Sequence, residues 1–139
     1  MTVSWPWASV PAPTFTPATS IAAHEIPSSP GVYAWVHDDE VVYLGVAASG
    51  LRSRIRTHLG TAADLSRSAF RRSVAGHVLT TPAASSRKRL STLDVKDLAV
   101  VNAWVRECSL GWIETTNADE ARELEDTLLS KHRPPLNKQ

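Results

Sequence analysis

The sequence predicts an α+β domain: a three-stranded antiparallel sheet flanked by helices, in the order β-β-α-(α-α)-β-α. Three observations point to it. Two runs of β-branched and aromatic residues, Val32–His37 and Glu40–Val46, are parted only by Asp38-Asp39, a strand–turn–strand signature. Four later stretches carry apolar residues at three- and four-residue spacing, the period of an amphipathic helix. A third β-rich run, Ser109–Thr115, precedes the last of these helices and completes one small sheet with the hairpin.

The elements follow in order. Residues 1–29 form a proline-rich arm in which Pro6, Pro11, Pro13, Pro17 and Pro27 forbid regular helix or central strand, and Pro30-Gly31 opens the ordered core. Trp5, Trp7 and Phe15 give the arm apolar anchors, so it is expected to lie against the domain. Alternation in the hairpin puts Tyr33 and Trp35 on one face and Val32, Ala34 and Val36 on the other. Both faces are apolar, so both are expected to be covered. After the small-residue loop Gly45–Gly50, Leu51, Ile55 and Leu59 form the buried stripe of a helix over about 51–59, and Arg54 and His58 share another of its faces. The segment 64–79 reads as a helix with Leu65, Phe70, Val74 and Val78 inward and Arg67, Arg71 and Arg72 exposed. Residues 80–92 read as a polar basic loop, and 94–106 as a helix burying Val95, Leu98, Val101, Trp104 and Val105. Asn117 caps the final helix, with Glu120 in the capping-box position three residues on. Ala121, Leu124, Leu128 and Leu129 turn toward the core, and Pro134-Pro135 stops the helix. The chain thus divides into an arm, 1–29, and a domain, 30–139, with a helical basic insertion at 61–108.

With 139 residues, 42% of them hydrophobic, the chain buries enough surface to fold without cross-links. Cys108 is the only cysteine, which excludes an internal disulfide framework and any multi-cysteine metal site. No apolar run approaches the roughly 18 residues of a membrane span, and the N-terminus lacks the blocks of a signal peptide. A cytoplasmic, reducing setting with no membrane and no disulfide partner is therefore expected. The net charge of +1 hides an asymmetry: residues 1–50 carry −4, residues 51–93 carry +8, and residues 94–139 carry −3. A basic middle in a near-neutral chain suggests a face for a polyanion.

Six polar side chains stand out: Tyr33 and Tyr43 on adjacent strands, Arg54 and His58 on the next helix, Glu125 at the border of the last helix's apolar stripe, and Asn137 just past Pro134-Pro135. Taken singly, each has an ordinary reading. Strand tyrosines pack in cores with a wet hydroxyl, a helix-surface arginine is solvated, and a stripe-edge carboxylate pairs with an arginine. His58 beside Arg54 reads as an exposed polar pair.

Jointly they form a pattern. Gly31-Val32-Tyr33 and Tyr43-Leu44-Gly45, with nine residues between the tyrosines, together with the helix Leu51–Leu59 and the closing segment Leu124–Asn137, resemble the GIY-YIG nuclease superfamily. The resemblance covers residues 30–60 and 109–137 and is nearest in style to the small bacterial and restriction-type members. Val32 and Leu44 stand where isoleucine is usual, a conservative change.

The resemblance implies the GIY-YIG fold and an endonuclease that hydrolyses phosphodiester bonds of DNA. It gives Glu125 one divalent ion, Mg²⁺ (or Mn²⁺), a cation that needs no more than one or two protein carboxylates. Tyr33 becomes the general base, helped by the metal field, by Arg54, or by proton transfer to His58 or a metal-bound water. Tyr43 binds the phosphate or the water, Arg54 the scissile phosphate, and Asn137 buttresses the site; His58 orients Tyr33 or contacts a phosphate. Arg52, Arg56, Arg67, Arg71, Arg72, Arg87, Lys88 and Arg89 are the expected nucleic-acid contacts. One site cuts one strand, so a double-strand break calls for a homodimer or sequential nicking, and Trp5 and Trp7 are candidates for a dimer contact or for cover of the chain's own sheet. The alternatives are a non-catalytic nucleic-acid-binding module of the same fold, and a partner-binding protein that uses the arm.

Overall fold

A computed structural model of the protein describes residues 2–79 and 92–137. Its elements are β1 (Thr16–Pro17), β2 (Gly31–His37), β3 (Glu40–Ala47), α1 (Leu51–Leu59), α2 (Ala69–Val78), α3 (Val95–Arg106), β4 (Ser109–Glu114) and α4 (Ala118–Lys131), with two short 3₁₀ turns in the arm. The α+β class is as expected, but the sheet has four strands rather than three, in the order β1-β4-β2-β3 and antiparallel at every pairing. The added strand comes from the arm, where Thr16 and Pro17 pair with Leu110 and Ser109. Two residues, one of them proline, carry no periodic signal, and proline is tolerated there because the strand lies at the sheet edge.

The hairpin turns through Asp38 and Asp39, both with positive φ (51° and 64°), as a tight two-residue connection requires. The β2–β3 register then shifts between Trp35 and Val36. The irregularity leaves Val42 facing the Tyr33 side while Val36 and Val41 share the other.

Two cores result. On one face Tyr33, Trp35, Tyr43 and Ala47 pack with Leu51 and Ile55 of α1, Phe70 and Val74 of α2 and Val101 and Val105 of α3. On the other, Ala34, Val36, Val41 and Leu44 pack with Leu128 of α4 and with Trp7, Trp5 and Phe15 of the arm. The insertion is therefore not an appendage: α2 and α3 roof the first core. Phe70 is its central piece, stacked on Trp35 at 4.2 Å and 11°, tilted against Tyr43 and edge-on to His58.

Two details of the insertion differ from the sequence reading. The helix expected from residue 64 begins at Ala69, because Ser68 breaks in as N-cap and accepts the Arg71 backbone N–H. Val95 is 86% exposed rather than inward, since it opens α3 before the buried stripe begins. At the other end of the chain, Asn117 caps α4 by accepting the Glu120 N–H, while the Glu120 carboxylate reaches back to the Thr116 N–H.

The free edge of β3 is closed by the chain's last turn. Leu136 N–H donates to the Val42 carbonyl, and Asn137 both accepts the Leu44 N–H at 2.8 Å and donates to the Leu44 carbonyl at 2.7 Å. No helix among the described residues is long and apolar enough to cross a membrane.

Candidate active site

Strand alternation brings the two phenols to one face. Tyr33 and Trp35 lie two residues apart on β2 and so point the same way. Trp35 pairs directly with Tyr43, and Tyr33 pairs with Gly45, which places the two tyrosine rings diagonally, 6.4 Å apart and 27° from parallel. Gly45 is required rather than incidental, because a β-carbon there would overlap the Tyr33 ring and hydroxyl. The second tripeptide's glycine is thus the seat of the first tripeptide's tyrosine.

Tyr33 Oη lies 2.6 Å from His58 Nε2, and His58 Nδ1 lies 2.7 Å from Ser68 Oγ. His58 is 1% exposed. The ordinary reading of Arg54 and His58 as an exposed polar pair does not hold: one turn of α1 separates an outward guanidinium from an inward imidazole that meets the Tyr33 oxygen. Burial, helped by Arg54, Arg71 and Arg72, lowers the His58 pKa to about 3. The imidazole is therefore uncharged at neutral pH.

That shift has a stability consequence. The folded pKa lies below the unfolded value of about 6.5, so between those limits the unfolded chain binds more protons. Stability from this group is complete above pH 6.5 and is lost as pH falls toward 3, by on the order of 5 kcal/mol over the window. Urea midpoints taken at pH 7, 5 and 4 should fall in sequence, and fall less steeply in His58→Gln.

Burial raises the pKa of both phenols, that of Tyr33 well above the ordinary value. For Tyr33 the neighbouring Tyr43 adds to the rise, Arg54 opposes it, and Glu125 adds again. For Tyr43, Glu125 is the largest contribution after burial, opposed by Arg72 and Arg54. These cross-influences put the two phenols, Arg54, Arg72 and Glu125 within one electrostatic neighbourhood. Glu125 reaches it from α4, which packs on β2 and β3 from the opposite face. Its carboxylate is half-buried, and burial, then Asp126, push its pKa up against the pull of Arg133. Among the described residues it accepts no hydrogen bond and joins no ion pair within 4.0 Å, and no cluster of three or more His, Cys, Asp or Glu surrounds it. A half-buried carboxylate without a hydrogen-bonding partner among the described residues suits a hard cation that keeps most of its own water, as Mg²⁺ does.

Asn137 stands beside the site without facing it. Both polar ends of its side chain are committed to the Leu44 backbone, so it holds the strand next to Tyr43 in place.

Arg54, Arg67 and Arg72 line a cleft of about 500 Å³ with Ser49, Ser53 and Ser66. A neighbouring cleft of about 480 Å³ takes Arg52 and Arg56. Arg52 is partly engaged, its Nε–H donating to the Ile26 carbonyl, and Arg72 clamps the Leu65 and Ser66 carbonyls. Arg71, expected on the surface, is corrected: it is 2% exposed and donates to the Ala62 carbonyl and Asn102 Oδ1. It ties the 61–63 linker to α3 and cannot reach a polyanion. Arg87, Lys88 and Arg89 lie outside the described residues. Ser68 is not among the residues that the sequence singles out; its N-cap signal, a serine three residues before Arg71 within an apolar stripe, is what could find it.

The residues 15–139 match the family model described as "GIY-YIG catalytic domain". UvrABC system protein C of Synechococcus sp. (strain JA-2-3B'a(2-13)) is 31% identical over 115 residues, which cover 81% of this chain and 13% of that protein. The chain therefore spans only a small part of that relative's length. Among solved structures, the GIY-YIG N-terminal endonuclease domain of UvrC from Thermotoga maritima bound to magnesium is 22% identical with a TM-score of 0.45, covering 84% of this chain and 91% of that one. A point mutant of the same domain bound to its catalytic divalent cation gives 21% identity and a TM-score of 0.45 over the same shares. With both tripeptides in place on adjacent strands and the family match running from the arm to the last residue, the chain belongs to the GIY-YIG catalytic domain family.

Proposed function

We propose that the protein is a divalent-metal-dependent endonuclease that hydrolyses phosphodiester bonds of DNA. The observation that carries the reading is the pair of tyrosine rings 6.4 Å apart on adjacent strands, with the Tyr33 oxygen held by the buried His58, in a fold that also presents an arginine-lined cleft containing Arg54. Tyr33 accepts the proton of the attacking water, with its oxygen held at 2.6 Å by His58. Arg54 stands exposed at the cleft, binds the scissile phosphate and stabilises the charge that builds on it. Tyr43 orients the phosphate or the water. Glu125 would hold Mg²⁺ or Mn²⁺, which would neutralise phosphate charge and offset the part of the rise in both phenol pKa values that Glu125 adds to burial.

The clefts supply the backbone-binding surface through Arg52, Arg56, Arg67 and Arg72. Arg67→Gln and Arg72→Gln should each weaken DNA binding and take about one unit from the slope of log affinity against log salt. Arg71→Leu should leave that slope unchanged and lower the melting temperature instead, because it removes buried hydrogen bonds rather than a phosphate contact. Fluorescence anisotropy over a salt series separates the two.

The reading as a whole is tested on supercoiled plasmid. Nicking that needs Mg²⁺ or Mn²⁺ and stops with chelator is the expected result. Tight, salt-dependent DNA binding with no cleavage under either metal would make the protein a binding module instead.

A further inference from the structure

Three side chains from three parts of the chain stand in line behind the site: Tyr33 on β2, His58 on α1 and Ser68 ahead of α2. Each carries one polar hydrogen, and the line has two contacts, 2.6 Å and 2.7 Å long. One hydrogen must therefore leave the line at an end. The Ser68 end is closed. Ser68 is 2% exposed, its Oγ already accepts the Arg71 N–H at 3.0 Å, and among the described residues its hydroxyl has no acceptor other than His58. Were His58 to donate to Ser68, the serine hydrogen would be buried without a partner. The other end is the Tyr33 oxygen, on a side chain 3% exposed, and it is the end that meets water in the proposed reaction, within the field of Arg54 and Glu125.

We infer that Ser68 is a positioning residue for the hydrolysis: its hydroxyl donates to His58 Nδ1, fixes the imidazole as the Nε2–H tautomer, and aims that N–H at the Tyr33 oxygen. The inference rests on Tyr33 being the base of the proposed reaction. It decides the role of His58. The imidazole is not the sink for the Tyr33 proton but a donor that stabilises the phenolate, and Tyr33 gives its proton to water on the side away from His58 before it accepts one from the attacking water. Because His58 stays neutral, the ring offers a tautomer rather than a charge. The other groups acting on Tyr33 are Tyr43 of β3, Arg54 of α1 and Glu125 of α4, and those acting on His58 are Arg54, Arg71 and Arg72. They set the absolute pH range and stay constant across variants at position 68.

Ser68 also caps α2, so the variants must separate its two jobs. Ser68→Asp keeps an acceptor for the Arg71 N–H but has no hydrogen for His58. Ser68→Thr keeps both. The ring nitrogens of His58 are read by ¹⁵N NMR on the full chain without metal or DNA, and cleavage is read as single-turnover rate against pH. The wild type and Ser68→Thr should show the Nε2–H tautomer. Ser68→Asp should move the ring proton to Nδ1 and shift the rate profile alkaline by about one pH unit, in a chain whose NMR spectrum shows it folded. A wild-type ring protonated at Nδ1, or a Ser68→Asp protein with the wild-type tautomer and profile, overturns the inference. The NMR result needs no activity: an Nε2–H ring in a chain that never cleaves would uphold the arrangement of Ser68 and His58 and count against the hydrolytic reading alone.

Discussion

Glu125→Ala should abolish metal-dependent cleavage, by on the order of a thousandfold or more, while DNA affinity changes little. The size follows from losing several kcal/mol of charge stabilisation at the phosphate. The sign of a second effect makes the test specific. In the intact protein the Glu125 charge raises the pKa of both tyrosines. Removing it should make the phenols more acidic, so a spectroscopic titration of tyrosinate should move to lower pH in the variant. An enzyme that failed only for want of a base would gain from that shift. Loss of cleavage together with more acidic phenols therefore assigns the loss to the cation. Undiminished Mg²⁺-dependent cutting by Glu125→Ala would remove the metal assignment.

Tyr33→Phe should lower the single-turnover rate by about 10²- to 10⁴-fold at every pH tested, the range for losing a positioned general base. The ring is expected to stay seated over Gly45 and against Tyr43, because only the hydroxyl is removed. The cost in stability is that of leaving the His58 nitrogen without its partner, about 1–3 kcal/mol. A rate deficit that vanished at high pH would mean that hydroxide or another group replaces Tyr33. A wild-type rate across the range would place the base elsewhere. Tyr43→Phe is the control for a phenol that orients without abstracting, and its loss should be the smaller of the two.

The hairpin, α1, α3 and α4 are legible in the sequence because their signals are local: alternation in β2, the Asp38-Asp39 turn, four-residue apolar spacing, and Asn117 with Glu120. The two tripeptides and the residues Arg54, His58, Glu125 and Asn137 are legible as a set, through the resemblance and its spacing. What stays illegible depends on partners distant in the chain. Thr16 and Pro17 become a strand only because β4 lies beside them. Arg71 has the spacing of a surface arginine, and its burial comes from a carbonyl at residue 62 and an amide at residue 102. Ser68 gives way to the stronger apolar period that begins at Leu65. Its contact with His58 arises from the way α2 folds back onto α1, which no periodicity encodes.

Trp7 carries a consequence of its own. Its indole is 1% exposed within the second core, and its N–H donates to the Leu128 carbonyl, one turn of α4 beyond Glu125. It serves this chain's own interior rather than a second subunit. The family match begins eight residues later, at residue 15. A fragment trimmed to that boundary would hollow out the ground beneath the cation-bearing helix and leave the Leu128 carbonyl with the His132 N–H alone. The smallest piece able to keep its reaction centre in tune thus extends further toward the N-terminus than kinship of sequence does.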